Sequence, residues 1–246
     1  MTVLLEICVD DAAGVDAAVA GGADRIELCS ALELGGLSPS PALLRHAVGS
    51  GLPIHAMIRP RAGGFVLQDG DVAFMVDEIG LALAAGAAGV VVGALQVDGQ
   101  LDRDALAAFR EAARDAHVVL HRAIDLTPDP VAATEVACAL GYDHILSSGG
   151  APNAIDGAAR LAEMVAAARG RISIMPGAGV APDNVAHLLA QSGARAVHSS
   201  ASVALAHPAE REVRMGFATG PRRATDAAKV RALRSAIDNR HEPQGA

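Results

Sequence analysis

The residues best equipped for chemistry sit inside short apolar runs, where polar groups are costly. In DRIELC, residues 24–29, Glu27 and Cys29 share one parity of an extended segment, while Ile26 and Leu28 hold the other. LLEICV, residues 4–9, repeats the pattern with Glu6 and Cys8, and Asp10 follows. In PIHAMIRPR the same parity carries His55, Met57 and Arg59. HVVLHRAID ends in His121 and Arg122, with Asp125 just beyond, HILSS ends in Ser147 and Ser148, and AVHSS ends in His198, Ser199 and Ser200. Carboxylates and imidazoles together do acid–base chemistry. Guanidinium groups clamp anions, and thiols hold soft metals. A ring of such groups is a candidate site, because unpaired buried polar groups are expensive. The competing explanation is a self-satisfied plug, for example Arg59 paired with Glu27.

The elements that must position these residues recur along the chain. Eight β-rich runs, from LLEICV to AVHSSA, alternate with Ala- and Leu-rich stretches of helical spacing such as DVAFMVDEIGLALAAG. Gly marks the helix ends, as in CALGYDHIL, and Ser, Asp and Pro mark helix starts in SPSPALL, TPDPVAA and APDNVAH. Eight strand–helix units in 246 residues predict an α/β fold, a single-domain (β/α)8 TIM barrel over residues 1–246. An open doubly wound sheet is the alternative, but no GxGxxG follows the first strand. Residues 202–225 read as a looser segment before a final, eighth helix, TDAAKVRALRSAIDNR. In a barrel both strand faces are covered. Ile26 and Leu28 then face the helices, and Glu27 and Cys29 face the interior near the C-terminal mouth, where barrel active sites lie.

Composition narrows the function. The net charge is −8, aromatics make up 2%, and no basic stripe is interleaved with them, so no nucleic-acid partner is expected. No apolar run is long enough to span a bilayer without Gly or charge, and the N-terminus lacks the features of a signal peptide, so no membrane association and a cytoplasmic location are expected. Three widely spaced cysteines form no disulfide framework, and Cys138 falls in a helix as core packing. His46, His187, His207 and His241 read as surface residues. The Ala-rich helix faces suit tight packing on a barrel and are equally compatible with a homo-oligomer interface.

Two chemistries compete for the mouth. In IMPGAGVAPDN and AVHSSA, Gly177, Ala178 and Gly179, together with Ser199, Ser200 and Ala201, resemble the phosphate-cradling turns after barrel strands 7 and 8. Arg59 and Arg61 are expected to clamp an anion, Glu6 or Glu27 to act as general base, His121 to carry a proton, and Asp125 to orient His121 or Arg122. Such a set suits an isomerase, epimerase or lyase acting on a small phosphorylated or carboxylated metabolite. The Gly-rich AGGFVLQDGD reads as a lid or a plain connection. Alternatively, Cys8 and Cys29 occupy equivalent places on adjacent strands about 4.8 Å apart and can share one Cu(I), with Met57, His121, Met175 and His198 near the same mouth.

LEICVDD, GGADRIELCSALELGGLSPS, MIRPRAGGF, HRAID, SSGG, IMPGAGV and VHSSA, in this order, resemble the CutC copper homeostasis family from about Leu4 to Ala201. The resemblance implies a barrel, a cytoplasmic location and a link to copper handling, and it points to Cys8 and Cys29 as ligands of Cu(I). The expected partner is thus a copper ion or a small anionic metabolite.

Overall fold

The computed structural model describes residues 2–218 and 220–241, the last by its backbone alone. Eight parallel strands alternate with helices: β1 Leu4–Val9, α1 Ala12–Gly21, β2 Arg25–Leu28, α2 Pro41–Val48, β3 Ile54–Met57, α3 Asp71–Ala84, β4 Gly89–Val92 and α4 Arg103–Ala113. Then come β5 His117–Leu120, α5 Pro130–Ala139, β6 His144–Ser147, α6 Ala158–Ala168, β7 Ser173–Pro176, α7 Val185–Ser192 and β8 Ala196–Ser199. The strand order β8-β1-β2-β3-β4-β5-β6-β7 wraps into a nearly closed single-domain (β/α)8 barrel. A two-stranded hairpin, β9 Ser202–Ala204 with β10 Arg223–Thr225, flanks a short α8, Glu210–Arg214, and the chain ends in α9, Ala227–Asp238. The hairpin and α8 are the segment expected to be looser. α9 is the ninth helix in order, but it completes the outer ring between α7 and α1.

Local signals explain most boundaries. Ser40 and Asp129 accept backbone N–H bonds at the starts of α2 and α5, each followed by Pro at the first helical position. Gly22 and Gly193 close α1 and α7 in the left-handed conformation. The start of α7 departs from this pattern. Asn184 precedes it without capping it, and its side chain instead ties the β7–α7 loop through Ala181 N–H and Gly179 O.

The alternation along the strands sorts the apolar residues into two separate clusters. Ile26, Leu28, Ile54, Val90, Val92, Val118, Leu120, Ile145 and Val197 pack under the helices in the main core. Cys29, Met57, Val91, Val119, Leu146, Met175 and Ala196 fill the barrel interior. Glu27 therefore points inward, as the sequence pattern demanded. Each large aliphatic buried in the outer layer contributes roughly 1.5–3 kcal/mol. Cys138 is half-buried and packs on that layer, while His46, His187 and His207 are exposed and the side chain of His241 lies outside the described residues.

The outer core and the caps are expected to differ in weight. Replacing the fully buried Phe109 with Ala should lower the unfolding free energy by about 3–5 kcal/mol. Asp129→Ala, which frees the Val131 and Ala132 N–H groups, should cost about 1 kcal/mol. Urea denaturation of the two variants checks the ranking, and a larger loss for Asp129→Ala would contradict it.

Candidate metal and ligand site at the barrel mouth

The interior is organised by one buried ion pair. The Arg25 Nε donates to Glu6 Oε2 at 2.6 Å, and both side chains are almost fully enclosed. Arg25 also reaches His144 Nε2 at 3.1 Å and Met175 Sδ at 3.5 Å. The second oxygen of Glu6 lies 2.8 Å from His198 Nδ1. Burial alone would raise the Glu6 carboxyl, but Arg25, His198 and His55 outweigh it and hold the group well below the usual carboxylate range. With Nδ1–H committed to an ionised Glu6, the Nε2 of His198 is left facing the mouth. It lies 3.8 Å from Glu27 Oε2. Burial pushes the imidazole down, but Cys8, Glu27 and Glu6 push harder, and it is held well above the ordinary histidine range.

The β1–β2 register sets Cys8 opposite Glu27, not opposite Cys29. The two cysteines are therefore not equivalent, since Cys29 lies one step nearer the mouth. One ligand atom each from Cys8, Glu27 and His198 lie within 4.8 Å of one another, and all three residues are buried. Ligand atoms about 2.0–2.3 Å from a common ion fall within such a span. Cys29 Sγ borders this group, 3.5 Å from Glu27 Oε2. Burial, reinforced by Glu27, pushes the Cys29 thiol far up, and burial likewise raises Glu27 itself. A metal binding at Cys29 Sγ or at His198 Nε2 would have to displace a proton.

Arg59 and His121 take other roles than pairing with acids. Arg59 does not meet Glu27. Its guanidinium donates to the carbonyls of Leu34, Gly36 and Gly63 and lies 5.0 Å over the Phe65 ring. It staples the β2–α2 loop to the Gly-rich loop, whose far side is bound by Val66 pairing with Leu95 and by Arg61 bonding Asp71 at 2.7 Å. Arg61 is thereby spent outside the mouth. His121 stands at the end of β5 on Gly93, where any Cβ would lie 2.3 Å from its ring. Its Nδ1 accepts from Ala123 N–H at 3.2 Å, so the ring proton belongs on Nε2. Burial, with Arg59 nearby, pushes His121 down to about 4.

The turns after β6, β7 and β8 are tied to one another. Asp125 does not orient His121. It binds Arg122 at 2.8 Å and accepts from Ser147, Ser148 and the Gly150 N–H. Ser199 Oγ donates to Val180 O and accepts from Ala201 N–H, and Ser200 bonds Ser202. Gly177 is there for packing, because a Cβ would meet Leu146 at 2.5 Å. Gly179, at φ +74, and Ser200 do line the mouth cavity. This cavity has a volume of about 610 Å³, and its wall includes Cys8, Glu27, Met57, Arg59, His121 and His198. Met175 is absent from that wall and lies against Arg25 deeper in the barrel.

The most consequential residue that the sequence pattern left unmarked is Arg25. It shares the parity of Glu27, which is the available signal, but it stands at the first position of its strand, where a charge is ordinarily solvated. At the same end of the barrel, His55 and His144 are pushed by burial, and then by Arg25, down to about 3 and about 4. Below the ordinary histidine pKa of about 6.5 the unfolded chain takes up protons that these folded rings refuse, so each lowers stability as pH falls. His198, held high, does the reverse. His144→Gln removes one low-pKa ring while keeping an acceptor for Arg25. Between pH 7 and pH 5 its unfolding free energy should fall by about 2 kcal/mol less than that of the unmodified protein, read from urea titrations at the two pH values. Equal losses would sink the assignment.

Residues 3–203 match the CutC family model. A CutC family protein from Sinorhizobium medicae is 50% identical over 236 residues, covering 96% of each chain. A protein from Caenorhabditis elegans named as a copper homeostasis protein cutC homolog is 39% identical over 237 residues, covering 95% of this chain and 94% of its own. The crystal structure of a CutC from Streptococcus agalactiae superposes with a TM-score of 0.77 at 28% identity, over 81% of this chain and 99% of its own. With its sequence, its barrel and these relatives in agreement, this chain belongs to the CutC copper homeostasis family.

Proposed function

We propose that this chain takes part in copper homeostasis by binding one Cu(I) at the barrel mouth. Cys8 and the Nε2 of His198 are the principal ligands, and Cys29 supplies a further thiol from just past the end of β2. The observation that carries this reading is the convergence of the Cys8, Glu27 and His198 ligand atoms within 4.8 Å, on an imidazole whose other nitrogen is held by Glu6 at 2.8 Å. The carboxylate of Glu6 holds the ring by Nδ1–H, as carboxylates behind ligand histidines do in metal sites, so Nε2 is the nitrogen that gives up its proton when an ion binds. Softness selects among the donors. Thiolate and imidazole suit Cu(I), whereas the oxygen of Glu27 suits a harder ion. Three free cysteines fit a reducing, cytoplasmic setting, and among the described residues no helix is long and apolar enough to cross a membrane. In this reading copper is the cargo, and the protein's contribution is a deep, mostly desolvated set of soft donors.

An anaerobic competition titration of Cu(I) against a chromophoric chelator tests the reading. The expected result is one tightly held Cu(I) per chain, lost in Cys8→Ser/Cys29→Ser and weakened by roughly tenfold or more in His198→Gln. Affinity unchanged in the double cysteine variant would overturn it.

A further inference from the structure

A copper ion accounts for a small part of the mouth. The cavity of about 610 Å³ has the size of a pocket for an organic molecule, and three features of its wall describe what would fill it. The first is unpaired polarity. Glu27 Oε1, Arg59 Nε and His121 Nε2 are buried without a hydrogen-bond partner among the described residues, and all three side chains line this cavity. Glu27 and His121 are themselves only 3% and 4% exposed. An unmet buried donor or acceptor is costly, and a bound molecule can relieve that cost. The hydrogen-bond roles are defined. Since His121 Nδ1 accepts from Ala123 N–H, Nε2 is a donor, Arg59 Nε is another, and Glu27 Oε1 is an acceptor when ionised.

The second feature is charge. The chain is acidic overall, at −8, yet its mouth reverses the sign. Arg59, Arg122, Arg223 and Lys229 line it against Glu27 and Asp125 alone. Asp125 is also already neutralised by Arg122 at 2.8 Å. The third is an apolar side formed by Leu32, Phe65, Leu146 and Val180, which gives the carbon body of a ligand a place to lie.

We propose that the mouth cavity is a binding site for a small organic anion, a carboxylate or phosphate ester carrying a carbonyl or hydroxyl group. The anionic end lies toward Arg223 and Lys229, and the carbonyl or hydroxyl oxygen accepts from His121 Nε2. This site stands independently of the copper reading. His121 and the rim cations are not copper ligands there, and the binding does not require the metal.

Isothermal titration calorimetry on the metal-free, full-length protein tests it, with 2-oxoglutarate, 3-phosphoglycerate and inorganic phosphate as probes. At least one organic probe should bind once per chain at least tenfold more tightly than inorganic phosphate, and whether it is the carboxylate or the phosphate ester identifies the anionic group. His121→Asn keeps an acceptor for Ala123 N–H but lacks the Nε2 donor, and it should weaken that binding tenfold or more while leaving the Cu(I) titration unchanged. If His121→Asn does not fold, Lys229→Met, on the exposed rim, should still weaken binding severalfold. No binding by either organic probe, equal binding of inorganic phosphate, or binding indifferent to the variants would overturn the proposal.

Discussion

The buried contact between Arg25 and Glu6 is the constraint around which the interior is built. A guanidinium inside a β-barrel is tolerable only if its charge is met at short range, and a carboxylate there needs the same. Glu6 meets Arg25 with one oxygen and His198 with the other. That division keeps the carboxylate ionised, fixes the proton of His198 on Nδ1, and leaves Nε2 for the mouth. Burial, reinforced by the charge on Arg25, keeps His55 and His144 neutral at the opposite end. One pair thus divides the barrel into a neutral imidazole layer below and a protonated, acid-flanked imidazole above. Removing Glu6 would leave Arg25 as an uncompensated buried charge, a costly core defect, whereas removing Arg25 would leave Glu6 with His198 as its near partner.

Around this axis the mouth holds two kinds of chemistry at different depths. Cys8 lies on β1, Cys29 just past β2 and His198 on β8, and these strands are neighbours in the sheet. His121 and Arg122 come from the far side, at the end of β5. In the proposed copper site the ion is held by the first group alone, and the proposed organic anion reaches the second. The loops between them are stiffened by side chains spent on backbone atoms. Arg59 binds three carbonyls, and Asp125 gathers the turn after β6. These residue types usually suggest substrate contact, yet here they build the frame.

Much of this was legible in the sequence because strand parity is a hard rule. Once eight strand–helix units were counted, Glu27 and Cys29 had to face inward, and the split of the apolar residues into an outer and an inner cluster follows from the same alternation. Depth was not legible. Parity says which face a residue takes but not how far one strand slides along the next, so Cys8 and Cys29 read as level when the register sets Cys8 against Glu27. Pairing was not legible either. Arg59 and Asp125 line the mouth cavity and Arg61 lies outside it, and which backbone carbonyl or acid each one meets depends on loop geometry that no periodicity encodes. The role of Arg25 was hidden for a related reason, since a charge at the first position of a strand is ordinarily solvated.

The stagger between the two cysteines has a redox consequence. On neighbouring strands about 4.8 Å apart, a two-residue offset of about 3.3 Å per residue separates their Cα atoms by roughly 8 Å. That exceeds the reach of a disulfide, which needs Cα atoms within about 7 Å. An oxidant therefore cannot lock Cys8 and Cys29 together without moving the backbone. A metal ion faces no such limit, because it holds two sulfurs apart at about twice its bond length. The barrel thus keeps two neighbouring thiols that oxidation cannot join to each other.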